Sequence, residues 1–242
     1  MHLLLVFVLI AFTTIGLLHF MNRLAPALGL GIHAIDRGAP APAAPIAAGL
    51  TIAATLHLAL PVFNLPHEWH SLYVGILLYL TLGLLADILT LSAAAKFVGS
   101  TCILALVPVT STLTILDVMR YWTDPAVRAN LPAFLASLVA GAVALQLFAL
   151  AIRTSALGGT LAVITLVALL VLAKGVGDQT ALHFSAGALG ITAALVGHNL
   201  ARNPVSSTNG ALQASLGNSG SLVLGVIVLW LALRLADQVF ET

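Results

Sequence analysis

Eight runs of 18–22 predominantly apolar residues follow one another along this chain, and no other feature limits its fold so tightly. They are Leu3–Phe20, Pro45–Phe63, Ser71–Leu89, Phe97–Leu116, Leu131–Ile152, Ala156–Ala173, Ala181–Leu200 and Ser221–Val239. A helix needs about 20 such residues to cross the hydrocarbon core of a bilayer. Only 7% of the 242 residues are charged, against about 25% in an ordinary soluble domain. A water-soluble globule of this size could not clothe its surface with so few ions. The expected fold is therefore all-α: a polytopic transmembrane helical bundle of about eight spans, forming one transmembrane domain over residues 1–242. The sixth run, bounded by Gly158-Gly159 and Lys174, is the weakest of the eight. No strand-like alternation, heptad or 20–50-residue repeat competes with this reading.

The remaining composition mostly excludes. Nine Lys+Arg against eight Asp+Glu leave a net charge of +1 and no electrostatic footprint for nucleic acid. Cys102 is the only cysteine, so no disulfide can form within the chain. The first basic residue, Arg23, follows the first apolar run, and no small-residue cleavage pattern closes that run. The run reads as a retained first helix, not a signal peptide. Orientation is weakly encoded. With the N-terminus outside, Arg23, Arg37, Lys96, Arg153 and Arg202 fall inside, while Arg120, Arg128, Lys174 and Arg234 fall outside. Five against four does not choose a side. Two long connections stand out: Met21–Ala44, rich in Pro, Gly and Ala, and Ala201–Gly220, rich in Asn, Ser and Gly. A smaller polar one, Asp117–Asn130, holds Tyr121 and Trp122 as interfacial anchors.

Few residues could carry chemistry. Asp87 lies near the end of the third run, where an acid must face protein or water because burial in lipid costs about 2.5–3.5 kcal/mol. It reads either as a functional carboxylate or as a side chain reaching the interface within one turn. His57, mid-run, suits a neutral imidazole bonded between helices better than a proton relay. His67 and His70 flank Glu68-Trp69 without a third convergent ligand, and His183 and His198 lie at opposite ends of one run. Ser215–Ser221 opens the last run. There Ser219 or Ser221 could cap the helix, and the glycines would let backbone N–H groups approach an anion. There is no Ser-His-Asp arrangement, Walker A loop or HExxH.

Several segments resemble one family. Gly83-Leu-Leu-Ala-Asp-Ile-Leu-Thr-Leu-Ser-Ala-Ala-Ala-Lys-Phe-Val-Gly99 is similar to the Gly-Leu-Leu-Asp-Asp-x-x-x-Leu-Ser-x-x-x-Lys-x-x-Gly signature of the polyprenyl-phosphate sugar-1-phosphate transferases. These are the phospho-MurNAc-pentapeptide and GlcNAc-1-phosphate transferases of glycosyltransferase family 4. Leu216-Gly-Asn-Ser-Gly-Ser-Leu-Val-Leu-Gly225 is similar to the family's Met-Gly-Asp-x-Gly-Ser-Leu-x-Leu-Gly. The stretch from His33 to Gly49, with Arg37, Pro42 and Pro45, is similar to its first cytoplasmic loop, and Ser155–Gly159 to the end of its third motif. Together these matches span most of residues 30–235. The resemblance implies an integral membrane protein of a bacterial inner membrane, with its N-terminus outside and the matched loops cytoplasmic.

The departures fall on reactive positions. Ala86 stands before Asp87 where the family has paired aspartates, and Asn218 replaces the magnesium-ligating aspartate of the fourth motif. Ala151 and Thr154 align with third-motif aspartates, Leu145 and Phe148 with its asparagines, and Ala47-Ala48 with the first loop's glycines. The chain stops at Thr242, before the family's last helices and its His-bearing loop. Bringing two phosphates together needs Mg²⁺ on hard carboxylate oxygens, and one carboxylate with one amide is a poor site. The implied reading is a shortened relative without an intact catalytic set, Asp87 being a vestige. It would bind a membrane lipid or a membrane-protein partner, with no metal and no cofactor. His33, Arg37, Lys96, Gly217, Asn218, Ser219, Gly220 and Ser221 are its candidate contacts to a lipid phosphate. The alternative is an active transferase that moves a sugar-1-phosphate from a UDP-sugar to polyprenyl phosphate with Mg²⁺. A transporter or channel fits less well, since intramembrane charges are scarce.

Overall fold

The structure, a computed structural model, describes residues 2–27, 44–63, 69–89, 91–111, 125–154, 158–202 and 216–241. These residues form eight helices and no strand, so the fold is the expected all-α bundle. The helices are α1 (His2–Ala27), α2 (Ala44–Phe63), α3 (His70–Ile88), α4 (Ala93–Ser111), α5 (Pro125–Thr154), α6 (Gly158–Val176), α7 (Gln179–Arg202) and α8 (Gly217–Glu241). Each contains or overlaps one of the eight apolar runs. Four of them, over Leu3–Leu24, Gly158–Val176, Gln179–His198 and Gly217–Ala236, are long and apolar enough to cross a membrane. The other four carry shorter apolar stretches among the described residues. The weak sixth run is thus a full-length helix; of the eight spans expected, four have the length and apolarity of a crossing among the described residues.

The pattern of burial suits lipid. On α6 the buried positions Gly158, Ala162, Leu166, Leu169 and Ala173 recur at helical spacing, and three of the five are Gly or Ala. Its outer face is also apolar, with Ile164 66% and Val171 63% exposed. In lipid, apolar surface gives no net drive between helices, which cohere through close packing of small residues. Three buried hydroxyls are satisfied locally: those of Thr14, Thr51 and Thr192 donate to the carbonyls of Ile10, Ala47 and Ala188, one turn back in each case.

Helix α8 sits at the centre. Leu222, Val223, Leu224, Ile227, Leu231 and Leu235 are all buried, and the helix packs against α2, α3, α5, α6 and α7. It runs antiparallel to α3: Asp87 in the last turn of α3 meets Asn218, while Trp69, just before α3, packs at a tilt on Trp230 with ring centroids 4.4 Å apart. Helices α4 and α5 pair beside them, and α1 covers α7 and α2. Helices α6 and α7 form a hairpin. Gly177 (φ +85°) takes the left-handed conformation that ends α6, and the Asp178 carboxylate then caps α7 by accepting the Ala181 N–H at 2.9 Å.

One inter-helix bond foreseen in the sequence is present: His57 Nδ1 of α2 is hydrogen-bonded to the Tyr73 hydroxyl of α3.

Candidate functional site

A carboxylate in the last turn of a helix faces the negative end of that helix's own dipole, and the first turn of another helix offers it the opposite field. The antiparallel packing of α3 on α8 supplies this for Asp87. Oδ1 accepts the Asn218 backbone N–H and the Asn218 side-chain Nδ2–H, both at 2.8 Å. Oδ2 accepts the Ser219 N–H at 3.0 Å and the Ser219 hydroxyl at 2.8 Å. A carboxylate has about four acceptor positions, and all four are engaged. The first turn of α8 is therefore capped from another helix, not by Ser219 or Ser221 as the sequence suggested. Helix α8 begins earlier than its apolar run, at Gly217. The Ser221 hydroxyl lies inside the first turn and donates to the Gly217 and Asn218 carbonyls.

Two glycines make this contact possible. A Cβ on Gly83, one turn before Asp87, would stand 2.3 Å from Ser219 Cα, and one on Gly49 of α2 would stand 2.2 Å from Ser219 Oγ. Ser219 is fully buried between them. The anion at the start of α8 is thus a protein side chain. The Asn218 and Ser219 N–H groups, expected to face a ligand, point at Asp87, and the Gly220 N–H donates to the Leu216 carbonyl.

From Asn218 the polar chain continues outward. Its Oδ1 accepts from Lys96 Nζ at 3.3 Å. Lys96 lies on the first turn of α4, where Ser92 Oγ accepts the Ala95 N–H and the Ser92 carbonyl accepts the Lys96 N–H. Gln146 Nε2 of α5 donates to Ser100 Oγ at 2.5 Å and to the Lys96 carbonyl at 3.3 Å. The Tyr79 hydroxyl of α3 donates to the Ser100 carbonyl at 2.9 Å. Four helices are joined by one network running from Tyr79 to Asp87.

The network borders a cavity of about 300 Å³ between α4, α5 and α8. Its polar wall is Lys96, Gln146, Asn218 and Ser221; its apolar wall includes Phe97, Leu147, Leu150 and Leu222. Lys96 is the only charged residue among the described residues that line it. Of the candidate contacts from the sequence, Lys96, Gly217, Asn218, Ser219, Gly220 and Ser221 come together here, and Lys96, Asn218 and Ser221 line the cavity. His33 and Arg37 lie outside the described residues. Gln146 was overlooked, although a lone amide in a 22-residue apolar run is itself a signal.

A second polar cluster lies at the opposite end of the bundle and was also overlooked. Asp178 Oδ2 accepts from Arg234 Nε and Gln238 Nε2, each at 3.0 Å. The guanidinium sits 5.2 Å from the Trp69 ring centroid and 5.7 Å from that of Trp230. Burial alone would raise the Asp178 carboxyl. The Ala181 N–H, the Arg234 guanidinium and the Gln238 amide outweigh it and hold the group below its ordinary value. Among the described residues no three His, Cys, Asp or Glu side chains converge as a metal site.

No protein-family model matches this sequence, and no curated protein matches it.

Proposed function

We propose that this chain is a non-catalytic membrane protein: a relative of the polyprenyl-phosphate sugar-1-phosphate transferases that binds a membrane lipid or partner protein. The resemblance in the segments around Asp87 and Asn218 motivates the family reading, and it assigns the protein to a bacterial inner membrane with its N-terminus outside. The observation that carries the non-catalytic reading is the saturation of Asp87. Its two oxygens accept four hydrogen bonds from Asn218 and Ser219. A magnesium ion needs carboxylate oxygens with vacant lone pairs, and Ala86, Ala151 and Thr154, which stand where the family has aspartates, offer none. The carboxylate serves as a pin between α3 and α8, and the cavity beside it serves binding.

The test is a transfer assay on purified protein with Mg²⁺, polyprenyl phosphate and radiolabelled UDP-GlcNAc or UDP-MurNAc-pentapeptide. No label should enter the lipid phase. Label appearing there without an added partner overturns the proposal.

A further inference from the structure

The polar wall of the cavity between α4, α5 and α8 is electrically balanced. Lys96 donates to Asn218 Oδ1, and the Asn218 amide donates in turn to the Asp87 carboxylate. The ammonium and the carboxylate thus sit one amide apart, and the first N–H groups of α8 are spent on Asp87 as well. No charge is left over to hold an anion. A cationic headgroup would meet the Lys96 ammonium at close range, where repulsion is poorly screened. The charges favour an uncharged ligand.

What the wall offers is an acceptor. The Ser221 hydroxyl gives its hydrogen to the Gly217 and Asn218 carbonyls. Gln146 Nε2 donates to Ser100 Oγ and to the Lys96 carbonyl. A carbonyl can only accept, so the Lys96 contact fixes which end of the Gln146 amide is nitrogen. The other end, Oε1, accepts no hydrogen bond among the described residues, and Gln146 stands half-buried on the cavity wall. An amide oxygen bordering an apolar region calls for a donor.

The rest of the cavity calls for hydrocarbon. Its volume of about 300 Å³ equals roughly ten waters at about 30 Å³ each. Phe97, Leu147, Leu150 and Leu222 would leave most of those waters without partners. Leu147 is 61% and Leu150 47% exposed, so the apolar wall continues onto the outer face of α5. Resting on the lipid-binding form of the reading above, we infer that the cavity takes an uncharged lipid alcohol. Its hydroxyl donates to Gln146 Oε1, and its chain lies along Phe97, Leu147 and Leu150.

Native mass spectrometry of the full chain in detergent tests this, with probes that share an oleyl chain and differ in headgroup: the alcohol, its methyl ether, the amine and the phosphate. The alcohol should be retained about threefold to tenfold better than the ether, as expected for one neutral hydrogen bond. It should also be retained better than either charged probe. Gln146→Leu should erase the preference for alcohol over ether while the ether still binds. If Gln146→Leu unfolds, Leu150→Trp serves instead: it fills the cavity from the apolar side and should expel the alcohol with Gln146 intact. Val171→Trp, on the outer face of α6, should leave retention unchanged. Dioleoylglycerol and geranylgeraniol, offered in turn, distinguish a glycerolipid source from an isoprenoid one, and rejection of both overturns the inference. So does equal retention of alcohol and ether, a preference for the phosphate or the amine, or retention that Leu150→Trp leaves unchanged. Each of these outcomes leaves the non-catalytic reading intact, which falls to transfer activity instead.

Discussion

Ser219 meets Asp87 twice, through its backbone N–H at 3.0 Å and its hydroxyl at 2.8 Å, both on the same carboxylate oxygen. The two residues are 132 positions apart in sequence. Their contact joins the last turn of α3 to the first turn of α8 and aligns the two helices.

Removing the pin should be costly. Asp87→Ala leaves the Asn218 and Ser219 N–H groups without their acceptor, a loss of about 2–3 kcal/mol. Thermal unfolding in detergent should show a Tm lower by roughly 5–10 °C. An unchanged Tm would mean that the four hydrogen bonds contribute nothing net.

Glycine substitutions should separate close approach from open space. Gly83→Ala places a methyl 2.3 Å from Ser219 Cα, whose backbone cannot yield without moving α8. The expected loss is about 1–3 kcal/mol or more. Gly16→Ala meets nothing within 4 Å and should be neutral or stabilise α1 by up to about 1 kcal/mol. Equal Tm values for the two variants would contradict the packing.

Asn218→Asp should create a like-charge conflict. The Asn218 amide nitrogen is 2.8 Å from Asp87 Oδ1, so the substitution replaces a hydrogen-bond donor by a second acceptor at contact distance. Thermal unfolding in detergent should show a Tm below that of wild type. An unchanged Tm would sink this.

Asp178 should make stability depend on pH. Its carboxyl is held below the ordinary value, so its contribution is full above the unfolded pKa and disappears as pH falls through the folded one. Wild-type Tm should fall from about pH 5 downwards, and Asp178→Asn should flatten that profile while lowering Tm at neutral pH. Parallel profiles for the two proteins would refute the assignment.

The ends of two helices also fix a topology. Gly49 in the first turns of α2 packs on Ser219 in the first turn of α8, so the chain enters both helices at one end of the bundle. After Cys102→Ser, single cysteines at Ala39 and Ser206 should react alike with an impermeant thiol reagent. Opposite labelling would place the two entry segments on different sides of the membrane.

The helices were legible because lipid removes ambiguity: an apolar run of about 20 residues has no competing fold. The juxtaposition of Asp87 with Asn218 was legible from the two motifs that carry the resemblance. What Asp87 does there was not. A sequence shows Ser219 and Ser221 beside a helix start and suggests a local cap, whereas the cap arrives from a helix more than a hundred residues earlier. Gln146 and the Asp178–Arg234 pair were missed for a related reason. A polar residue in an apolar run carries meaning only through its partner, and Asp178 and Arg234 are 56 positions apart.

Helix α8 has a polar cluster fixed at each end, and its length between them acts as a gauge. Ser219 and Arg234 are fifteen residues apart, about 22 Å along the axis, whereas a typical hydrocarbon core is about 30 Å thick. Neither end can slide, since Ser219 is wedged between Gly49 and Gly83 and Arg234 is held by Asp178 and two tryptophans. In a membrane, the bilayer around the bundle built on this helix must thin locally towards that spacing. Thickness thus becomes a variable to which this bundle responds: short-chain lipids should stabilise it, and a thick, sterol-rich bilayer should strain it from both ends.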